Sequence, residues 1–317
     1  MTSAIILVGD VRRRLLNLDA GSVQTCVTSP PYYGKRDYDH ADQIGLESSV
    51  DEYVNTLVAV FREVYRVLRD DGSLWVNIGD SYGGSGRGSV GKTGIQHTNA
   101  GSMTRDVRQR QSSFPKKQLI GVPWRLAFAL QDDGWILRSD VVWAKTNPIP
   151  ESVADRPTSS HEHVFLLAKR QRYYFDAEAV REPASDKGRV HGHEGRRHMQ
   201  DSRSLPPGSG PHRLARIDYS ERGRNIRDVW HAATSAGEFS GAHFAVMPKK
   251  VAKVCILSGA PEGAVVLDPF CGSGTTGLVA LRHQRDFIGI ELNPRYAELA
   301  RRRIEDDQPL FNRVEVA

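Results

Sequence analysis

At 317 residues the chain is long enough for one large α/β domain with a smaller insert. Its 39% hydrophobic content leaves room for solvated segments, and a formal net charge of +5 permits a polyanionic partner without requiring one. Three cysteines without C-x-x-C spacing (Cys26, Cys255 and Cys271) argue against a disulfide framework or a structural zinc site, and no apolar run approaches the ~18 residues of a membrane span. The first ten residues have no basic flank and too short an apolar run for a signal peptide, so a soluble, cytoplasmic protein with reduced thiols and no membrane partner is expected.

Taken in chain order, Ile5 to Val8 is a short apolar run closed by Gly9-Asp10, the pattern of a buried strand. Val23 to Thr28 is a second strand, stopped by Ser29-Pro30-Pro31 because proline has no N–H to give a ladder. Between Val50 and Leu68 the apolar residues recur at helical spacing, and Asp70-Asp71-Gly72 turns this helix into a strand from Ser73 to Ile78. Gly83 to Lys117, rich in glycine, serine and basic residues, reads as a long mobile loop. Pro123 opens a helix through Leu130, and Trp135 to Trp143 and Val164 to Ala168 read as strands. Cys255 falls on an expected helix. Val265 to Leu267 and Phe287 to Glu291 are strands, each followed by a helix, Thr275 to His283 and Pro294 to Ile304. No internal repeat is present. Strands alternating with helices imply a parallel sheet covered on both faces.

A polar stretch from about Arg181 to Arg227 carries Arg189, Arg196, Arg197, Arg203, Arg222 and Arg224 among glycine, proline and serine. Arginines this dense suit phosphate and guanine contacts. Composition alone leaves a plain solvated insert equally open.

Two segments carry chemistry. In the first, Val265 to Gly277, a strand runs through Asp268-Pro269-Phe270-Cys271 into Gly272-Ser273-Gly274-Thr275 and a helix start. Glycines there let a ligand approach the backbone, and the helix N-terminus offers free N–H groups. Gly272 to Gly277 also fits the G-x-G-x-x-G pattern, with Glu291 ending the next strand, so a nicotinamide dehydrogenase stays open beside an S-adenosylmethionine enzyme. Asp268 favours the latter: a carboxylate at the strand tip is awkward beside a pyrophosphate and suits a sulfonium or an amino-acid ammonium.

The second is Ser29-Pro30-Pro31-Tyr32, which follows a strand and should lie at the sheet's C-terminal edge. An aromatic amine is a poor nucleophile because its lone pair is delocalised into the ring. The Ser29 side chain and the Pro30 carbonyl could accept its two hydrogens and localise that pair, and Tyr32 could stack on a base swung out of the duplex.

Ser29-Pro30-Pro31-Tyr32 together with the Asp268 loop resembles the motifs of amino-methylating DNA methyltransferases. In that family a leading serine tends to mark cytosine-N4 enzymes and a leading aspartate adenine-N6 enzymes. The order of catalytic segment, basic insert and cofactor loop resembles the circularly permuted β group. The resemblance implies a Rossmann-like methyltransferase fold with a mostly parallel seven-stranded sheet and helices on both faces. It implies base flipping, S-adenosylmethionine as cofactor and double-stranded DNA as substrate, with a homodimer and a cognate restriction endonuclease as further candidate partners. Cofactor contacts are implied at Asp10, Asp268, Phe270, Gly272, Gly274, Thr275, Glu291 and Asn293, and at His243 and Phe244 within a segment like the one beside the methionine end. Residues 1–180 and 228–317 would form the methyltransferase domain, and 181–227 its target-recognition insert. Cytosine-C5 chemistry, which needs a Pro-Cys pair, is not expected, and no metal is needed. His161-Glu162-His163 lacks an identifiable third ligand and is expected to be structural.

Overall fold

The computed structural model describes residues 2–35, 40–84, 114–183, 223–234, 247–307 and 313–317. The chain divides into two compact units, Met1–Asp176 with Arg227–Ala317, and Ala177–Ile226.

The larger unit is built on one sheet. Its strands are β1 (Ser3–Val8), β2 (Val23–Thr28), β3 (Leu68–Ile78), β4 (Ile136–Lys145), β5 (His161–Ala168), β6 (Val229–Ala232), β7 (Val265–Asp268), β8 (Asp286–Glu291) and β9 (Arg313–Val316), in spatial order β6-β4-β5-β3-β2-β7-β8-β1-β9. Among the described strands only β5 runs against its neighbours, and the other strand pairings are parallel. The sheet therefore has nine strands among the described residues, not the seven implied by the resemblance. The two extra strands, β6 and β9, have four residues each and pair on one side only. Four residues are too few for periodicity to separate a strand from its polar flanks.

Six α-helices among the described residues flank the sheet: α1 (Val11–Arg14), α2 (Val50–Val67), α3 (Val122–Asp132), α4 (Lys249–Gly259), α5 (Thr275–Arg282) and α6 (Pro294–Asp307). The first three share one core, where Leu57, Phe61 and Val64 of α2 meet Leu126 and Leu130 of α3. The last three pack on one another in sequence. Every residue of β2 is buried, as a strand covered on both faces requires.

The amphipathic pattern of α2 is held at its start by Ser49, whose hydroxyl accepts the Glu52 N–H at 3.1 Å. Its end differs from expectation. The helix stops at Val67 and β3 begins at once with Leu68, because Arg69 to Gly72 form an irregularity within the strand, where the pairing with β2 shifts register. A Cβ at Gly72 would lie 2.9 Å from the Arg69 carbonyl, so only glycine fits this bend.

Gly274 illustrates how tightly the glycine loop is packed. Its φ is 75°, and a Cβ there would sit 2.9 Å from the Cβ of Ala300 on α6. Gly263 has the same backbone (φ 76°) in open space. Gly263→Ala is therefore expected to cost about 1 kcal/mol of strain, and Gly274→Ala roughly 2–4 kcal/mol because overpacking adds to it. Urea denaturation of the two variants checks the difference.

Of the segment read as a loop, residues 85–113 lie outside the described residues. Its ends are paired: Tyr82 bridges Leu119, and Gly83 N–H donates to the Gln118 carbonyl at 2.7 Å. In the smaller unit the described stretches meet at Glu182 and Arg224, which exchange backbone hydrogen bonds of 2.9 Å. No helix among the described residues is long and apolar enough to cross a membrane.

Candidate active site

The chain leaves β2 toward β3 and leaves β7 toward β8, so the neighbours β2 and β7 form a topological switch point. Ligands of open α/β sheets bind at such a crevice, beyond the carboxyl ends of the strands. The cleft here lies at that edge. It is lined by Ser29 to Tyr32 after β2, Asp268 to Ser273 after β7, Glu291 to Asn293 after β8, and Gly9-Asp10 after β1. Segments more than two hundred residues apart thus share one wall.

Asp268 is 4% exposed. Its Oδ1 accepts the Thr28 hydroxyl at 2.6 Å and the Phe270 N–H at 3.0 Å; Oδ2 accepts the Thr276 hydroxyl at 2.7 Å. These bonds tie β2, β7 and α5 together beneath the cleft. Burial outweighs all three and pushes the carboxyl up to about 6. Glu291 accepts the Gly272 N–H and the Asn293 N–H, each at 2.8 Å, and burial raises its carboxyl too. A carboxylate has about four acceptor directions, so Glu291 keeps capacity for hydroxyl donors. A Cβ on Gly272 would meet nothing closer than 3.9 Å, leaving a backbone open to a ligand. Two buried carboxylates beside bare backbone fit a cofactor that brings a cation and ribose hydroxyls.

The remaining expected cofactor residues divide. Phe270, Thr275 and Asn293 line the cleft; Asn293 Oδ1 also caps the start of α6 by accepting the Arg295 N–H at 2.9 Å. Asp10 is at the cleft, but Oδ1 already accepts the Arg12 backbone N–H at 2.7 Å and Nε at 2.9 Å. Thr275 is held by Arg303 of α6, whose guanidinium donates to its hydroxyl at 2.7 Å. Gly274 packs against α6 rather than lining the cleft. His243 and Phe244 lie outside the described residues; Met247, just beyond them, is on the cleft wall.

At the other end of the cleft, Pro31's carbonyl accepts the Tyr53 hydroxyl at 2.7 Å, which pins the proline turn to α2. No donor among the described residues reaches the Pro30 carbonyl. The Tyr32 hydroxyl donates to Glu162 Oε2 at 2.6 Å, and its ring edge leaves no room for a Cβ on Gly79, which would sit 2.8 Å from Cε2. Asn77 Nδ2 lies 3.0 Å from the Tyr32 hydroxyl, 3.1 Å from Glu162 Oε2 and 3.4 Å from Ser29 Oγ. Lys145 Nζ donates to Glu162 Oε1 at 2.6 Å.

Asn77, Lys145 and Glu162 carried no functional assignment in the sequence. They meet because β5 runs backwards: its first residues lie at the same edge as the last residues of β3 and β4. A carboxylate just ahead of the apolar run Val164-Phe165-Leu166-Leu167 was the available signal. Its flanking His163 pairs with Asp140 at 2.8 Å and stacks on Phe165. Burial raises the thiols of Cys26, Cys255 and Cys271, which disfavours the thiolate. Of the arginines expected at DNA, Arg189, Arg196, Arg197, Arg203 and Arg222 lie outside the described residues. Arg224 is described and pairs with Glu182 at 2.8 Å.

The sequence matches the DNA methylase family (N6_N4_Mtase) over residues 23–302. It is 44% identical to the Type II methyltransferase M.SmaI of Serratia marcescens over 304 residues, covering 96% of this chain and 91% of that protein. Identity to the Type II methyltransferase M.Cfr9I of Citrobacter freundii is 43% over 317 residues, covering 100% and 93%. In fold it resembles the PvuII DNA methyltransferase (cytosine-N4-specific), with a TM-score of 0.62 at 18% identity over 99% of this chain and 95% of that one. It likewise resembles a DNA modification methylase of Thermus thermophilus, solved with S-adenosyl-L-methionine, with a TM-score of 0.61 at 23% identity over 99% and 97%. The chain belongs to the N6/N4 DNA methylase family and is an S-adenosylmethionine-dependent DNA amino-methyltransferase with a Rossmann-like fold.

Proposed function

We propose that this enzyme methylates the N4 amine of cytosine in duplex DNA, with adenine N6 as the alternative acceptor for the same geometry. The observation that carries the reading is the turn after β2, where a serine leads the motif and the Pro30 carbonyl has no donor among the described residues. A planar amine presenting two hydrogens would meet two acceptors there, Ser29 Oγ and Pro30 O. Accepting both hydrogens draws the nitrogen toward a tetrahedral form whose lone pair can attack. When bound, S-adenosylmethionine supplies an electrophilic methyl on its sulfonium. Asp268 and Glu291 hold the cofactor end of the cleft, while Tyr32 presents its ring to a base taken out of the duplex. Ser29, Pro30, Pro31 and Tyr32 are assigned to the base, and Asp10, Asp268, Phe270, Gly272, Thr275, Glu291 and Asn293 to the cofactor, an assignment supported by their place on the cleft wall. Gly274 does not line that wall, and His243 and Phe244 lie outside the described residues.

Residues 181–227 are assigned as the target-recognition insert within a methyltransferase domain formed by 1–180 and 228–317. Their arginine density supports contacts to phosphates and guanines. The catalytic turn on β2 precedes the glycine loop on β7 in the chain, as in the permuted order. The relatives are named Type II methyltransferases, which supports a cognate restriction endonuclease as the functional partner, in the cytoplasm. A homodimer is the further assembly to test, by sedimentation with cofactor and DNA.

Tritium transfer from labelled S-adenosylmethionine to unmethylated genomic DNA, followed by nucleoside chromatography, tests the choice of base. Label in N4-methylcytosine is expected; label in N6-methyladenine would overturn the assignment of Ser29 to cytosine while keeping the acceptor geometry.

The Asp268 carboxyl, at about 6, also sets a pH dependence. A cationic cofactor prefers the ionised form, so binding below pH 6 must expel a proton. Affinity is expected to be flat above pH 6 and to fall toward a limiting slope of about tenfold per pH unit below it. Calorimetry at pH 5.5 in two buffers should show proton release that Asp268→Asn abolishes.

A further inference from the structure

Glu162 is largely buried, with 13% of its side chain exposed, and both of its oxygens are occupied. Oε1 accepts from Lys145 Nζ at 2.6 Å. Oε2 accepts the Tyr32 hydroxyl at 2.6 Å and lies 3.1 Å from Asn77 Nδ2. A lysine has only donors and an amide has only one oxygen, so a carboxylate is the group that satisfies both sides.

This arrangement fixes directions. Tyr32 has one hydroxyl proton, and the bond to Glu162 uses it. Burial, and then the charge of Glu162, hold the phenol well above its ordinary pKa, so it stays protonated and donating. Only lone pairs of the Tyr32 oxygen then face Asn77, at 3.0 Å, and Ser29, whose hydroxyl donates at 3.5 Å. Such bonds are often long without substrate and tighten when it binds. With its own proton turned inward, and with Asn77 Nδ2 3.4 Å from its oxygen, Ser29 keeps one lone pair for the cleft.

We propose that Glu162, clamped by Lys145, is a positioning residue that sets the direction of this hydrogen-bond chain, so that Ser29 accepts from the target amine instead of donating to it. The inference rests on the amino-methylation reading. Each link then points the same way: amine to Ser29, Ser29 to Tyr32, Tyr32 to Glu162. Were the chain reversed, the Ser29 O–H would point at the amine and compete for the lone pair that must attack the methyl.

Glu162→Gln is close to isosteric and tests the direction. Lys145 takes the single amide oxygen, the NH2 faces Tyr32, and the chain turns around. The single-turnover rate is expected to fall roughly 10- to 100-fold, with cofactor affinity and thermal midpoint unchanged. Lys145→Met is expected to lower the rate in the parent enzyme. In the Glu162→Gln background it should raise the rate, because the amide can then rotate its oxygen back to Tyr32. Tyr32→Phe cuts the chain, so in that background Glu162→Gln should change the rate by less than about twofold.

A purely structural role would not reverse the sign of the lysine substitution. An E162Q enzyme within about twofold of the parent overturns the inference, as does one that K145M fails to improve. A parent enzyme that binds cofactor yet labels no base would instead overturn the amino-methylation reading, and this inference with it.

Discussion

Tyr32→Ala is expected to lower methyl transfer by roughly 100-fold or more, while S-adenosylmethionine binds as in the parent. Stacking of a base on an aromatic ring contributes about 1–3 kcal/mol, and loss of alignment adds to that. The ring is fixed from two sides, by the 2.6 Å bond to Glu162 and by Gly79, whose missing Cβ makes room for it. It stands at the β2 end of the cleft, whereas Asp268 and Glu291 stand after β7 and β8. Cofactor affinity is therefore expected to be separable from turnover. Tyr32→Phe keeps the ring and loses the anchor, so its rate should fall by about tenfold. Single-turnover assays with calorimetric binding controls check both. An alanine variant with parental turnover would remove the base-stacking role.

Asp268→Asn should abolish tight cofactor binding without harming the fold. The carboxyl rises from 3.8 to about 6, so the folded state holds this proton to higher pH than the unfolded chain does. Stability contributed by the protonated form is lost as pH rises from 3.8 through 6. Above pH 6 the buried charge costs on the order of 3 kcal/mol. An asparagine can keep most of the contacts. Its Oδ1 accepts from Thr28 and Phe270 N–H, and its NH2 donates to Thr276. The Thr276 hydroxyl then turns to the Val27 carbonyl, 3.3 Å away. Unfolding free energy at pH 7.5 is expected to equal or exceed the parent's, and the advantage should vanish near pH 4. Cofactor affinity should fall by roughly 10- to 100-fold, because a charge-assisted contact is lost. A variant that is destabilised yet binds normally would show that the carboxylate serves the fold and not the ligand.

Much of this is legible in the sequence. The strand β2 has the expected bounds, and Ser29 to Tyr32 and Asp268 to Gly274 were found at the strand tips where the switch point requires them. Local rules sufficed there: apolar runs end at proline or glycine, and those ends face one edge of a parallel sheet. Three features were not legible for physical reasons. The bend at Arg69 to Gly72 reads as a turn because a Gly after two acids marks a turn equally well. The edge strands β6 and β9 are too short to carry a period. The Glu162, Asn77 and Lys145 cluster depends on β5 running antiparallel, which no local pattern encodes. In His161-Glu162-His163 the histidines suggest a metal pair, yet the glutamate between them is the residue that reaches Tyr32 in the turn after β2.

The most direct measurement is a crystal structure of the enzyme with S-adenosylhomocysteine and a duplex carrying its recognition sequence, identified by mapping methylated bases. A flipped cytosine stacked on Tyr32 is expected, its amine within hydrogen-bonding distance of both Ser29 Oγ and the Pro30 carbonyl, with the cofactor seated over Asp268 and Glu291. A target amine bound elsewhere, or facing the Ser29–Pro30 turn with no hydrogen bond to it, would contradict the account.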